Sequence, residues 1–118
     1  MIKAVSPAII NVTGDIDLAE MIRIKHKIID LADHGQVNVI LNIKSVDAVS
    51  FFAVGGLIGL LQKLRNLEGD LKIACASDFV TRIFQRAGAE PWIESYASVE
   101  DAVGSFDDDW AGAEGTVH

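Results

Sequence analysis

Short apolar runs rich in β-branched residues alternate with longer stretches of helical periodicity, and this alternation constrains the fold most. The predicted strands are 8–12, 37–43, 71–76 and 92–96, and the predicted helices are 17–34, 52–67, 78–87 and 98–106. A strand–helix–strand repeat needs crossover connections, which set successive strands parallel. With a short strand at residues 2–5, the sequence predicts an α/β fold with a mixed, mainly parallel sheet of four to five strands and about four helices.

Capping residues mark the ends of these predicted helices. Asp17 has Glu20 three residues later, which is the spacing of a capping box at a helix N-terminus. Ser77 stands directly before the third helix, while Gly35 and Gly88 follow the first and third helices as expected C-terminal stops. The helix boundaries therefore rest on local chemistry as well as on periodicity.

Charge and hydropathy divide the chain into a domain and a tail. Residues 1–106 form one predicted domain, and residues 107–118 form an acidic tail that contains no lysine or arginine.

The net charge of −7 without a basic stripe argues against nucleic-acid binding. The longest apolar run, 48–61, is broken by Ser50 and three glycines, so we expect no membrane insertion. The N-terminus lacks a signal-peptide pattern, and a cytoplasmic protein is predicted.

Residues that could support catalysis do not assemble into a known pattern. There is no G-x-S-x-G elbow and no phosphate-binding loop, and Gly55, Gly56 and Gly59 fall inside a helix, where we expect them to let the helix approach the sheet. The histidines are scattered, and Cys75 is in phase with its strand as a small buried residue. The sequence predicts no enzyme activity, no metal and no cofactor.

The junction before the second helix is the candidate partner-binding site. Ser50, Phe51, Phe52 and Ala53 lie where the central strand leads into this helix. Neighbouring helical residues differ by about 100° around the axis, so both aromatic rings cannot face the core. They either pack under neighbouring loops or expose an apolar contact of the kind that marks a partner site.

Four segments in order resemble the STAS family, specifically bacterial anti-sigma factor antagonists. Residues 14–17 resemble its G-[ED]-[LI]-D turn, and residues 39–43 resemble its central V-x-L-D-L strand. Residues 69–73 resemble its G-G-x-L-x-[LIV] segment, and residues 80–88 resemble its V-x-x-[LI]-[LF]-x-x-[ST]-G helix end. The resemblance covers residues 8–106 and implies the STAS fold.

This resemblance implies a function in partner binding and a departure from the family's usual switch. Antagonists bind an anti-sigma factor, often a serine kinase, which phosphorylates a serine in a D-S-S-G-L-G motif and so breaks the complex. Here Phe52 occupies the acceptor position and Ser50 that of the aspartate, which leaves Ser50 as an alternative acceptor. Asp17 matches an aspartate that contacts partners in the family, and it is also the predicted helix cap.

Two further hypotheses belong to other classes. The chain could be a STAS subunit of a larger complex, either a stress-signalling assembly or a lipid or anion transport system. A phosphatase or nucleotide hydrolase would depend on Asp15 and Asp17. A homodimer formed through an apolar surface stays open at this point.

Overall fold

Four strands form one parallel sheet in the computed structural model, which describes residues 6–107. The strands are β1 (Ala8–Ile16), β2 (Asn38–Val49), β3 (Asp70–Ala74) and β4 (Glu94–Tyr96). They lie side by side in chain order, and each neighbouring pair is parallel. The α/β class with four strands is confirmed, and among the described residues the sheet is parallel throughout. The predicted strand at 2–5 lies outside the described residues.

Four helices cover the two faces of this sheet unequally. They are α1 (Leu18–Asp33), α2 (Phe51–Asn66), α3 (Asp78–Arg86) and α4, which spans residues 99–107. Because the strands follow chain order and parallel crossovers are right-handed, α1, α2 and α3 lie on one face. Within residues 6–107, only α4 packs on the other face. Asp107 belongs to α4, and the rest of the predicted acidic tail lies outside the described residues.

The core lies mainly between the sheet and the three crossover helices. Alternate residues of β2 point into it, with Val39, Leu41 and Ile43 fully buried. Ile40 points the other way and packs with Ala102 of α4 in a second, smaller cluster. A central strand with helices on both faces is expected to be apolar on both sides, and β2 follows this rule.

The first two strands are longer than the periodicity predicts. β1 continues past residue 12 to Ile16 and β2 past residue 43 to Val49, because the two strands stay paired, with Thr13 opposite Ser45. Two register shifts interrupt this ladder, one on each side of Gly14, whose φ of 77° suits the local bulge. The pairing carries both strands to the same edge of the sheet.

Helix ends agree with the capping residues. The Asp17 carboxylate accepts a hydrogen bond from the Glu20 N–H at 2.9 Å, and Ser77 caps α3 in the same way. Gly35 and Gly88 follow the C-caps with φ of 87° and 73°, a conformation that glycine adopts without strain. These predictions are confirmed.

The expected roles of the α2 glycines and of Cys75 are wrong. A Cβ at Gly55 or Gly59 would meet open space, and one at Gly56 would meet Met21 of α1 at 3.0 Å, so none of the three brings α2 close to the sheet. Cys75 lies beyond the end of β3 with a φ of 66° and is only half-buried. The strand ends one residue earlier, which takes Cys75 out of the alternation.

No helix among the described residues has the length and apolar character that crossing a bilayer would need.

Candidate functional site

The first two helices begin side by side at the carboxyl edge of the sheet. Ile16 and Val49, the last residues of β1 and β2, are register partners, and the Ser50 N–H donates to the Ile16 carbonyl at 3.1 Å. Asp17 and Ser50 therefore cap neighbouring helices. This edge of an open parallel sheet is where such folds usually bind their ligands.

Ser50 and Ala53 form the first turn of α2 together. The Ser50 hydroxyl oxygen accepts a hydrogen bond from the Ala53 N–H at 3.1 Å and thereby caps the helix. Ser50 is half-buried, whereas the Ala53 side chain is 1% exposed and packs in the core. Ala53 contributes to this site through its backbone N–H.

Phe51 and Phe52 both project into solvent from this turn. Their side chains are 61% and 88% exposed, so neither packs under a neighbouring loop. Phe51 lines a shallow groove toward α3 with Ile58 and Arg86. Phe52 lies one helical turn from Gly56, on the flank that faces α1. The two rings extend an apolar surface to both sides of the α2 N-terminus.

Acidic and apolar side chains surround the two rings at the carboxyl edge. Asp15, Asp17 and Asp47 are exposed there. Leu18 and Ile22 of α1 are 67% and 47% exposed. Their angular offset from the buried Met21, Ile24 and Ile28 was the signal for exposure.

A second polar cluster lies on the α4 face and was missed by the sequence analysis. The Lys72 side chain is fully buried, and its ammonium lies 2.8 Å from Ser105 Oγ and 3.2 Å from Glu94 Oε1. The Phe106 ring centroid is 4.3 Å from the same ammonium. These contacts join α4 to β3 and β4.

Tyr96 and Lys72 both lower the pKa of Glu94 in this cluster. Its hydroxyl donates to Glu94 Oε1 at 2.7 Å, and this hydrogen bond holds the pKa of Glu94 below its usual value, with the Lys72 ammonium adding to the effect against partial burial. Burial raises the pKa of Tyr96. Among residues 6–107, no three His, Cys, Asp or Glu side chains are arranged to hold a metal ion.

Comparison with known proteins gives one family and several similar structures. The STAS domain family model matches residues 2–102. A search of curated protein sequences finds no significant match. The unphosphorylated anti-sigma factor antagonist SpoIIAA is similar with a TM-score of 0.74 and 23% identity, over 92% of this chain and 93% of that chain.

Two further structures show the breadth of the fold. The Bacillus cell fate determinant SpoIIAA in its phosphorylated form gives a TM-score of 0.63 at 23% identity, over 89% of this chain and 94% of that chain. A sulfate transporter family protein from Wolinella succinogenes gives a TM-score of 0.75 at 16% identity, over 87% of this chain and 88% of that chain. At these identities the likeness concerns the fold alone.

Proposed function

Because this chain belongs to the STAS domain family, we propose that it is a non-catalytic regulatory module of the anti-sigma factor antagonist kind. One observation carries the proposal: Phe51 and Phe52 are exposed at the start of α2, where antagonists of the family carry their phosphorylation motif. Sigma factors are regulated in the cytoplasm, so the proposal includes a cytoplasmic location.

The proposed partner is an anti-sigma factor or a related serine-kinase-like signalling protein. Burial of one phenylalanine side chain contributes about 1.5–3 kcal/mol, and aromatic anchors near the centre of an interface commonly dominate affinity. Two such rings are exposed here, with the Asp17 carboxylate at the neighbouring helix cap. Phe51, Phe52, Asp17 and Ser50 are the proposed contact residues, and Ala53 holds the turn in place.

Phosphorylation cannot switch this module at the usual position, because Phe52 has no hydroxyl group. Ser50 is the alternative acceptor, and its oxygen already accepts the Ala53 N–H. A phosphate at this helix cap would be compatible with the helix and would set about two negative charges beside the apolar anchor. Mass spectrometry after incubation with a cognate kinase should show no mark on residues 51–54, and any mark nearby should lie on Ser50.

Titration against kinase-like anti-sigma factors from the same genome tests the proposal. The double variant Phe51→Ala/Phe52→Ala should weaken binding at least tenfold, since about 1.4 kcal/mol suffices for that change. Trp92→Ala is the matched control, because Trp92 is 48% exposed but lies before β4, at the opposite edge of the sheet. Equal affinities of the wild type and the double variant would refute this binding surface.

A second candidate function is a subunit of a larger assembly, either stress-signalling or transport. The similarity to the sulfate transporter family protein favours it. Neighbouring genes separate the two candidates: kinase, phosphatase and sigma factor genes support the first, while permease and ATPase genes support the second. A homodimer is compatible with either candidate, and sedimentation analysis of the Phe51→Ala/Phe52→Ala variant would show whether these rings mediate it.

A further inference from the structure

The outer face of α2 carries an exposed ring and an open gap about two helical turns apart. The Phe52 side chain is 88% exposed, and a Cβ at Gly59 would meet open space. Because seven residues are nearly two full turns, these two positions point in the same direction to within about 20°. A ring that packs over a gap in a facing helix makes the knob-into-hole contact of helix pairs. This one face therefore holds both halves of such a contact.

The outer face of α1 carries charges of both signs beside apolar side chains. Asp17 at the N-cap and Lys25 eight residues later are both exposed, and neither forms an ion pair with another residue that the structure describes. Between them lie Leu18 and Ile22, which are 67% and 47% exposed, so no element among residues 6–107 covers them. Along its first turns, α1 thus presents an anion, an apolar stripe and a cation.

The pair of charges on α1 and the ring and gap on α2 share one midpoint. Both helices cross over between parallel strands, so they run in the same direction, and the closeness of Met21 to Gly56 shows which turns lie side by side. Met21 lies midway between the two charges of α1, and Gly56 lies within one residue of the midpoint between the ring and the gap of α2. One point is therefore the centre of both pairs. An isologous interface has this property, because its twofold axis makes residue i contact residue j and residue j contact residue i.

We propose that this face of α1 and α2 is the interface of a homodimer. The twofold axis lies in the interface at the shared midpoint, and it sets α1 against α1 and α2 against α2 in antiparallel directions. Phe52 of each protomer then packs over Gly59 of its partner. Asp17 of each protomer lies beside Lys25 of its partner, and the two apolar stripes meet between them. A parallel arrangement would instead place ring on ring and like charge on like charge, which disfavours it.

The other charges near this face agree with the antiparallel arrangement or lie outside it. Asp15 is exposed close to the α1 N-cap, so it adds to the negative end that Lys25 of the partner faces. Asp33 and Lys63 line the groove at the C-terminal ends of the two helices, where their charges offset each other. Antiparallel α1 helices centred on Met21 do not reach this groove, because α1 begins only at residue 18. A helix of one charge sign would be repelled at one end of the face, whereas a second copy presents the opposite sign at both ends. The contact is short, so we expect a weak, reversible dimer.

Dimer formation covers one of the two rings proposed to bind an anti-sigma factor. Phe52 belongs to both surfaces, so a protomer cannot occupy both at once. Because Phe52 also replaces the usual acceptor serine, the dimer lowers the concentration of available module by mass action, without a phosphate. Only this consequence rests on the proposed function, and the dimer itself does not.

Sedimentation velocity at protein concentrations up to about 1 mM measures the dissociation constant of the dimer. Phe52→Ala should raise this constant at least about tenfold, because each dimer loses two buried rings. Phe51→Ala is the matched control, since Phe51 is 61% exposed but lies on the flank of α2 that faces α3, and its loss should leave the constant unchanged. A wild type that stays monomeric over this range, or equal effects of the two variants, would overturn the inference.

A double-mutant cycle tests the pairing of Asp17 with Lys25. Lys25→Glu should weaken the dimer about threefold to tenfold, because two symmetric pairs change from attraction to repulsion. Asp17→Asn keeps an acceptor for the Glu20 N–H, and it should weaken the wild-type dimer but strengthen the Lys25→Glu dimer. Lys27→Glu is the control, because it makes the same charge change about 200° around α1 from Lys25 and should leave the dimer unchanged. An effect of Asp17→Asn with the same sign in both backgrounds would show that the antiparallel axis is wrong.

The two proposals fail separately. Sedimentation of the chain alone involves no partner protein, so a monomeric wild type would remove the dimer and leave the proposed function standing. Phe51 lies outside the dimer interface, so Phe51→Ala in the titration with anti-sigma factors tests the proposed function alone.

Discussion

Replacement of Gly69 by alanine should destabilise the domain, although Gly69 lies in a short surface turn between α2 and β3. A Cβ at this position would overlap the carbonyl oxygen of Val37 and would lie 2.6 Å from its carbonyl carbon. These are backbone atoms, so no side-chain rotation relieves the overlap. The same carbonyl accepts the Asp70 N–H at 3.0 Å, a hydrogen bond at the start of the β2–β3 pairing.

The magnitude follows from three contributions. Overpacking against fixed atoms costs about 1–3 kcal/mol. Loss of the hydrogen bond between Asp70 and Val37 adds about 1 kcal/mol. Gly69 does not have a positive φ, so alanine can adopt the same backbone conformation. Alanine also restricts the unfolded chain, which offsets about 0.4–1 kcal/mol of this loss of stability. The free energy of unfolding should therefore fall by about 1–3.5 kcal/mol, which corresponds to a melting temperature roughly 4–14 °C lower for a domain of this size.

Urea unfolding followed by circular dichroism measures this change. Gly59→Ala is the control, because Gly59 lies inside α2 with open space around it, so alanine there should stabilise the helix by about 0.5–1 kcal/mol. The two substitutions are chemically identical and should have opposite signs. A Gly69→Ala protein at least as stable as the wild type would refute the reasoning from the Val37 contact.

Two further predictions concern pH and helix capping. The pKa of Glu94 is lowered in the folded protein, so its contribution to stability is complete above the usual glutamate pKa of about 4.3 and is lost as the pH falls through the lowered value. Glu94→Gln should flatten this part of the stability–pH profile. An unchanged profile would contradict the assigned role of the hydrogen bond from Tyr96. Ser50→Ala removes the α2 cap and should lower the free energy of unfolding in urea by about 1 kcal/mol. Ser50→Asp keeps an acceptor for the Ala53 N–H and should stay near wild-type stability. Equal losses of stability in both variants would show that capping is not what Ser50 contributes.

The order of strands and helices could be predicted from the sequence because each element carries its own signal. Caps such as Asp17 and Ser77 act within four residues, so their effect is visible locally. The extension of β1 and β2 was not predictable, since backbone pairing of polar residues such as Thr13 and Ser45 leaves no hydrophobic alternation. The order of the strands and helices could therefore be predicted, whereas the lengths of β1 and β2 could not.

The candidate site was only half predictable for a related reason. The 100° step between Phe51 and Phe52 shows that at least one ring must leave the core, but only the positions of α1 and α3 decide that both rings are exposed. The burial of Lys72 depends on α4, and Ser105 lies 33 residues further along the chain. No local pattern distinguishes such a lysine from the solvated ones.

The contact of α4 with Lys72 also determines where this domain can be cut. A fragment that ends after β4 would keep every strand of the described sheet, yet it would leave the Lys72 ammonium without Ser105 and would uncover Ile40 and Ala74. The smallest fragment able to fold alone must therefore extend through α4. During synthesis, the apolar side chains on the second face of the sheet stay exposed until α4, near the last described residue, has been added. We therefore expect an incomplete chain to be prone to aggregation.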